Sequence, residues 1–348
     1  MANPPIRIGV IGCGTQANVH FRGIKAIGPE RATVTALCDL DQERLQAASE
    51  QWPQARTARD YRAMLEGEAL DLVIIATMPN THCTMSLASL EASANVLCEK
   101  PFMMNMEEAD RVLSLAQRVD KQVQLGTNMR HLPSAQHARQ LMVDGALGNP
   151  VYMKAWGCHK IPPAWAPHYH LATSGGGVLA STLVHTLDLV MWVSLSPNPV
   201  SVSAATSRLF PTKRGPKLGE HVHARYDAED LLGAFVRFDN GSYCALEGNW
   251  CSEVTDFHSF QITAEKGTIT GAPYSILVDE DGEVVDRTPA LAQDNWFESV
   301  QTQDAALIDS LLGGERWQLQ DARQLLNLQK VIDACYESAR TGREVYID

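Results

Sequence analysis

Lys100 stands in Glu99-Lys100-Pro101, at the end of the apolar run Asn95 to Cys98. The proline biases it towards extended backbone and away from helix. An ammonium at such a strand end, facing a cleft between domains, can hold a substrate hydroxyl and stabilise the alkoxide that forms as hydride leaves. An exposed surface lysine is the alternative. Further on, Ser181, His185 and Asp188 share one face of a helix expected over Val178 to Val193, while Val184, Leu187 and Met191 line another. A histidine has the pKa to take a hydroxyl proton during oxidation and return it during reduction. Asp188 can orient its ring or raise its basicity. The alternative is a core histidine bonded within its own helix. Gly175-Gly176-Gly177, just before the helix, reads as a flexible approach suited to a substrate loop.

These residues need a scaffold, and the N-terminal stretch supplies one. Ile6, Ile8, Val10 and Ile11 form a strand that runs into Gly12-x-Gly14-x-x-Ala17 and then a helix. Gly12 and Gly14 allow a tight turn and let backbone N–H groups approach a pyrophosphate, with Thr15 and Gln16 placed beside them on the cofactor side. A second strand, Ala32 to Cys38, ends at Asp39, about 20 residues past the turn, where the adenosine ribose hydroxyls are held. Asp39 could instead cap the next helix. Leu40 follows it and no arginine adjoins, which favours NAD over NADP.

Strand and helix patterns alternate through the first third: helices over Gln42 to Gln51, Tyr61 to Leu65, Thr84 to Ala92 and Met106 to Val119, and strands over Asp71 to Ala76 and Gln122 to Gly126. Strands this apolar are covered on both faces, as in a doubly wound parallel sheet. Thr77 to His82 forms a loop at its carboxyl edge, where such sheets bind ligands. After residue 128 the pattern shifts. A helix at Ser134 to Asp144 precedes strands at Val151 to Gly157, Val200 to Ser207, Leu231 to Phe238, Ser242 to Trp250, Phe257 to Ala264 and Gly267 to Thr270. Asp239-Asn240-Gly241 and, more weakly, Glu265-Lys266-Gly267 are hairpin signals. The expected fold is therefore an α/β Rossmann domain over residues 1–128 and an α+β domain with a large, mostly antiparallel sheet over 129–348. The C-terminal helices, Phe297 to Leu312 and Asp321 to Arg340, pack against the sheet or back onto the first domain.

Composition narrows the partners. With 348 residues, 45% hydrophobic and 20% charged, the chain is an ordinary globular protein. Its net charge of −12, with no long basic run, argues against nucleic acid or an anionic membrane. No signal core and no apolar run approaching a membrane span is read, which suits a cytoplasmic protein. The eight cysteines lack Cys-x-x-Cys spacing and read as reduced core thiols. His168 and His170, like His221 and His223, alternate along extended segments. Known zinc spacings are absent, so no metal is expected. Trp165 offers an apolar face to a sugar ring or other cyclic substrate; packing is the alternative.

Together GVIGCGTQANVH (9–20), CDLDQER (38–44), PNTH (79–82), CEKP (98–101), GTNMR (126–130), GGGVLASTLVHTLDL (175–189), EDLLGAFVRFDNGS (229–242) and SARTGREV (338–345) resemble the glucose-fructose oxidoreductase / inositol dehydrogenase / MocA (Gfo/Idh/MocA) family of NAD(P)-dependent oxidoreductases. The resemblance implies a dehydrogenase acting on a secondary alcohol of a sugar, polyol or related cyclic diol. It implies Lys100 as the catalytic lysine and His185 as the proton-relay histidine. Pro79, Asn80, His82 and Glu99 fall with Thr77 on the cofactor side; Asn128, Arg130, His159, Trp165, Ser181 and Asp188 are expected at the substrate. A homodimer or homotetramer through the second-domain sheet is implied as well. Sugar and inositol dehydrogenases of this family commonly carry an aspartate where this chain has Ser181, which leaves two alternatives open: a redox-neutral, glycosidase-like enzyme that retains NAD, and a non-catalytic dinucleotide-binding regulator.

Overall fold

The computed structural model describes residues 4–67, 69–162, 169–210, 225–253, 257–314 and 320–347; Trp165, His168, His221 and His223 lie outside them. The chain divides into two compact units, Met1–His131 with Asn295–Leu325, and Leu132–Asp294 with Leu326–Asp348.

The first unit is built on six strands, β1 (Ile6–Ile11), β2 (Ala32–Cys38), β3 (Arg56–Ala58), β4 (Leu72–Ile75), β5 (Asn95–Cys98) and β6 (Val123–Leu125). They pair in parallel in the order β3-β2-β1-β4-β5-β6. The order reverses between β1 and β4, so the loops leaving these strands diverge and open a crevice at their carboxyl ends. β4 is buried at every position, as its continuous apolar run requires. The three-residue, polar β3 carried no strand pattern in the sequence.

Helix Thr15–Ile27 buries Ala17, Phe21 and Ile24 at helical spacing. Its apolar face joins one cluster with Ile6, Ile8, Leu72 and, from helix Trp296–Gly313, Leu307 and Ile308. The division expected at 128/129 thus stands at 131/132, and residues 295–325 count with the first unit. The physical reason is this apolar stripe, which covers the β1 side of the first sheet.

The second unit carries nine strands: β7 (Pro150–Cys158), β8 (Pro199–Ser207), β9 (Leu231–Phe238), β10 (Tyr243–Asn249), β11 (Phe257–Ala264), β12 (Gly267–Gly271), β13 (Tyr274–Glu280), β14 (Glu283–Asp286) and β15 (Val345–Tyr346). Their order is β14-β13-β12-β11-β7-β10-β9-β8-β15. Every pair is antiparallel except β7 with β10. Asp239-Asn240-Gly241 joins β9 to β10, with Gly241 at φ +83°. β13, β14 and β15 lie beyond the strands expected from the sequence. β13 and β14 meet at Asp281-Gly282, both at positive φ, a two-residue turn of the kind that suits right-twisted strands.

The expected helix Val178 to Val193 begins differently. Leu179–Leu183 forms a π-turn, and α-helix runs over Val184–Val193. With the preceding turn, the stretch Leu171–Val193 is long and apolar enough to cross a membrane by length and composition, which corrects the expectation of no such run. The stretch is buried inside the protein. It rests on the sheet where Gly157 of β7 and Gly248 of β10 pair side by side. A Cβ on Gly157 would lie 2.9 Å from Leu183 Cα, and one on Gly248 2.9 Å from Val178 Cγ1. The bare patch lets the π-turn sit directly on the strands.

Candidate active site

In the first unit, Gly12 closes the turn after β1 at φ +89°, and a Cβ there would come 2.5 Å from the Ala76 carbonyl oxygen. Only glycine fits. Gly14 is the N-cap of helix Thr15–Ile27; it has no side chain to cap the helix, and no acidic residue stands in the first turn. The leading N–H groups and the positive end of the helix dipole therefore remain for an anion. Thr15 is exposed and Gln16 half-buried at this end. Asp39 does not cap the following helix; Asp41 does, accepting from Glu43 and Arg44 N–H. Asp39 instead accepts from Cys13 N–H at 2.7 Å and Asp41 N–H at 2.8 Å, which fixes a half-buried carboxylate beside the turn. This cradle fits a dinucleotide: an uncapped helix end for pyrophosphate, and a placed carboxylate for ribose hydroxyls.

Lys100 follows β5, and because all six strands are parallel it leaves the same edge as Gly12. The Lys100–Pro101 bond is cis. Burial lowers the Lys100 pKa, with the Glu99 carboxylate opposing, so its ammonium is more acidic than an ordinary lysine's. Glu99 is held in turn by Gln16 Nε2 at 2.9 Å and His20 Nε2 at 3.1 Å on Oε1, and by Lys100 N–H at 3.2 Å on Oε2.

The PNTH loop is organised around His82. Its ring is fully buried, with Nδ1 2.9 Å from Pro101 O and Nε2 3.3 Å from Thr77 O. Burial lowers its pKa against the pull of the Pro101 and Thr77 carbonyls, and the ring ties the loop after β4 to the segment after Lys100. Pro79 is buried, Asn80 exposed and Thr77 half-buried with its hydroxyl 2.8 Å from Thr81 Oγ1. Asn128 and Arg130 are also buried: Asn128 donates to Ser299 Oγ at 2.8 Å and Arg130 to Gln324 Oε1 at 2.7 Å. Both thereby anchor C-terminal residues to the first unit.

In the second unit, Ser181 lies in the π-turn and His185 one residue into the α-helix; Ser181, His185 and Asp188 are all buried. π-turns of this kind gather at functional sites because the extra residue re-aims a side chain. The glycine approach corrects the expectation of a flexible loop. Gly176 and Gly177 are buried, and a Cβ would run into Tyr336 Oη at the first and the Glu229 carbonyl at the second. Glu229 accepts from Gly177 N–H at 2.7 Å, Leu179 N–H at 3.1 Å and Tyr336 Oη at 3.0 Å. It clamps the start of the helix that carries His185. His159 faces His258, Nε2 to Nε2 at 3.1 Å. His170 pairs with Asp227 at the surface. Among the described residues no group of three or more His, Cys, Asp or Glu could hold a metal.

His20, Asp304, Glu229, Tyr336 and His258 were not singled out from the sequence. His20 closes the quoted GVIGCGTQANVH segment and Glu229 opens EDLLGAFVRFDNGS, so both stood inside recognised motifs. Asp304 and Tyr336 lie in helices read only as a tail.

Residues 6–127 match the Gfo/Idh/MocA oxidoreductase family, described as having an NAD-binding Rossmann fold, and residues 135–270 match the family's C-terminal domain. The chain is similar to D-glucoside 3-dehydrogenase of Escherichia coli (strain K12), 27% identical and covering 99% of this chain and 98% of that protein. It is similar to inositol 2-dehydrogenase 2 of Paenarthrobacter aurescens (strain TC1), 28% identical over 96% of each. Among solved structures, levoglucosan dehydrogenase in complex with NADH and levoglucosan superposes with a TM-score of 0.86 over 99% of each chain at 18% identity, a likeness of fold.

Proposed function

The chain belongs to the Gfo/Idh/MocA family of oxidoreductases, and on that footing we propose that it is an NAD-dependent dehydrogenase of a secondary alcohol on a sugar, polyol or related cyclic diol. The observation that carries the reading is the place of Lys100, directly after β5 at the sheet edge where the Gly12 cradle opens. NAD, when bound, supplies the acceptor for the substrate's hydride. Gly12, Gly14, Thr15, Gln16 and Asp39 hold its pyrophosphate and ribose, while His82 and Glu99 set the backbone around it. Lys100 binds the substrate oxygen and stabilises the charge that develops there. His185 takes the hydroxyl proton, with Ser181 and Asp188 orienting substrate and ring. His159, Asn128 and Arg130 belong with them as substrate-side residues.

The names of the relatives support a glycoside or a cyclitol as the substrate class. The test is absorbance at 340 nm with NAD, and separately NADP, against sugars, glycosides, inositols and cyclic dihydrodiols. One class yields NADH, and Lys100→Ala lowers kcat by about 100-fold or more while leaving NAD affinity within a few-fold. Equal losses in turnover and NAD affinity overturn the role of Lys100. Silence across the panel with NAD still bound selects the redox-neutral enzyme or the regulator, with Ser181 as the reason.

Two further features accompany this reading. The exposed side of the nine-stranded sheet carries Tyr152 against Tyr243 and Tyr243 against Phe235, with Phe257 and Leu277 exposed on the same face. An apolar face of this kind supports a homodimer or homotetramer through the sheet, which light scattering measures directly. All eight cysteines are buried free thiols, which supports a reducing, cytoplasmic setting.

A further inference from the structure

The imidazole of His20 lies at the centre of the first unit, with no exposed surface and a carboxylate at each nitrogen. Nδ1 is 2.9 Å from Asp304 Oδ2, and Nε2 is 3.1 Å from Glu99 Oε1. Glu99 and Asp304 are themselves buried. The three residues come from helix Thr15–Ile27, the end of β5 and helix Trp296–Gly313. Space has been made for them. A Cβ on Gly23 would lie 2.9 Å from Asp304 Oδ2, and one on Gly126 would lie 2.7 Å from Glu99 Oε1.

We propose that His20 is a positioning residue for the Glu99–Lys100 turn, anchored by Asp304 of the C-terminal helix. The inference rests on the reading of Lys100 as the substrate-side lysine. A neutral imidazole has one N–H and can donate to only one of the two carboxylates; an imidazolium donates to both. Burial pushes the ring pKa down, but Asp304 and then Glu99 outweigh it and raise it to about 10. His20 therefore stays an imidazolium throughout the working range. It keeps Glu99 ionised, and its carboxyl is held below the ordinary range by this contact despite burial. Glu99 in turn spends Oε2 on Lys100 N–H, which fixes the turn, and its charge opposes the loss of the Lys100 proton. The charged groups facing the ring are Asp304 from the C-terminal helix and Glu99 from β5, with Lys100 beyond Glu99.

The test begins on the wild-type protein. Nitrogen-15 histidine spectra, with His20→Asn to assign the signal, should show both His20 ring nitrogens protonated at pH 8.5; a neutral ring at that pH overturns the proposal. Lysine Cε carbon-13 titration then reads Lys100. In His20→Asn and in Asp304→Asn its pKa should shift by about one unit or more, and the alkaline limb of kcat/KM should move with it. kcat should fall about 100-fold, the size expected of a reacting group displaced by about 1 Å, with NAD affinity little changed. Folded variants with the wild-type Lys100 pKa and pH profile refute the role. If His20→Asn fails to fold, Asp304→Asn and the wild-type spectra still decide. If no alcohol in the panel is oxidised, the reading of function fails, yet both titrations still report whether His20 carries charge to Lys100.

Discussion

Replacing Glu229 separates a clamp from a spectator. Its carboxylate is buried and accepts from Gly177 N–H, Leu179 N–H and the Tyr336 hydroxyl. Glu229→Ala leaves three buried donors without an acceptor, at about 1–3 kcal/mol each and roughly 3–9 kcal/mol in total. Burying a carboxylate already opposes folding, so the net loss falls towards the lower half, about 3–5 kcal/mol. Glu229→Gln keeps one acceptor oxygen but turns an amide NH2 towards a donor, and should cost about 1–3 kcal/mol. The two differ in pH dependence as well. Burial raises the Glu229 pKa above its ordinary 4.5, against the pull of Leu179 and Gly177 N–H. The folded state thus binds that proton more tightly than the unfolded chain. The associated stabilisation is complete below the unfolded value and is lost as pH rises through the folded one. Urea unfolding at pH 5, 6.5 and 8, followed by tryptophan emission, measures both effects; Trp250 Nε1 donates to Thr182 Oγ1 inside the π-turn and reports on it. The wild type minus Glu229→Gln difference should shrink with rising pH. An Ala variant within about 1 kcal/mol of wild type, or a Gln variant with the wild-type pH slope, refutes the reasoning.

Gly12→Ala forces a side chain into φ +89° and against the Ala76 carbonyl. It should lose about 1–3 kcal/mol of stability and also the rise in Tm that NAD produces; a rise equal to wild type in a thermal-shift assay would sink the cradle. Asp39→Asn removes the charge that repels a 2′-phosphate, and Arg44 stands close by, its Nη1 3.6 Å from a Cβ built on Gly14. The NADP-to-NAD ratio of kcat/KM should rise about tenfold, for roughly 1.4 kcal/mol. An unchanged ratio removes Asp39 from the ribose site.

Much of the fold was readable because its signals are local. Apolar runs, the Gly12 turn and the Asp239-Asn240-Gly241 hairpin each announce one element from a few neighbouring residues. What escaped depends on distant partners. β13 and β14 alternate polar and apolar residues only weakly, although Asp281-Gly282 between them is itself a turn signal. Gly157 and Gly248 acquire meaning only once β7 and β10 pair in register. The glycines before the helix read as flexibility because nothing nearby shows the Glu229 backbone pressed against them. The site behaves the same way. Lys100 and His185 stand in motifs, but the carboxylate that anchors His20 against Glu99 is Asp304, 284 residues from His20 in the chain. His82, placed on the cofactor side from sequence, spends both ring nitrogens on backbone carbonyls.

The order in which a ribosome delivers this chain adds a constraint of its own. Leu307, Ile308 and Asp304 complete the core of a unit whose other residues end at His131. At about 5–20 residues per second, the wait between residues 131 and 325 is roughly 10–40 s. Throughout it, Phe21 and Ile24 lack their cover and His20 has one carboxylate in place of two. The apolar face of helix Thr15–Ile27 therefore waits uncovered until the C-terminal helix is made. A fragment ended before residue 295 would leave it so, and a permuted chain that begins at Asn295 would deliver the missing helix first.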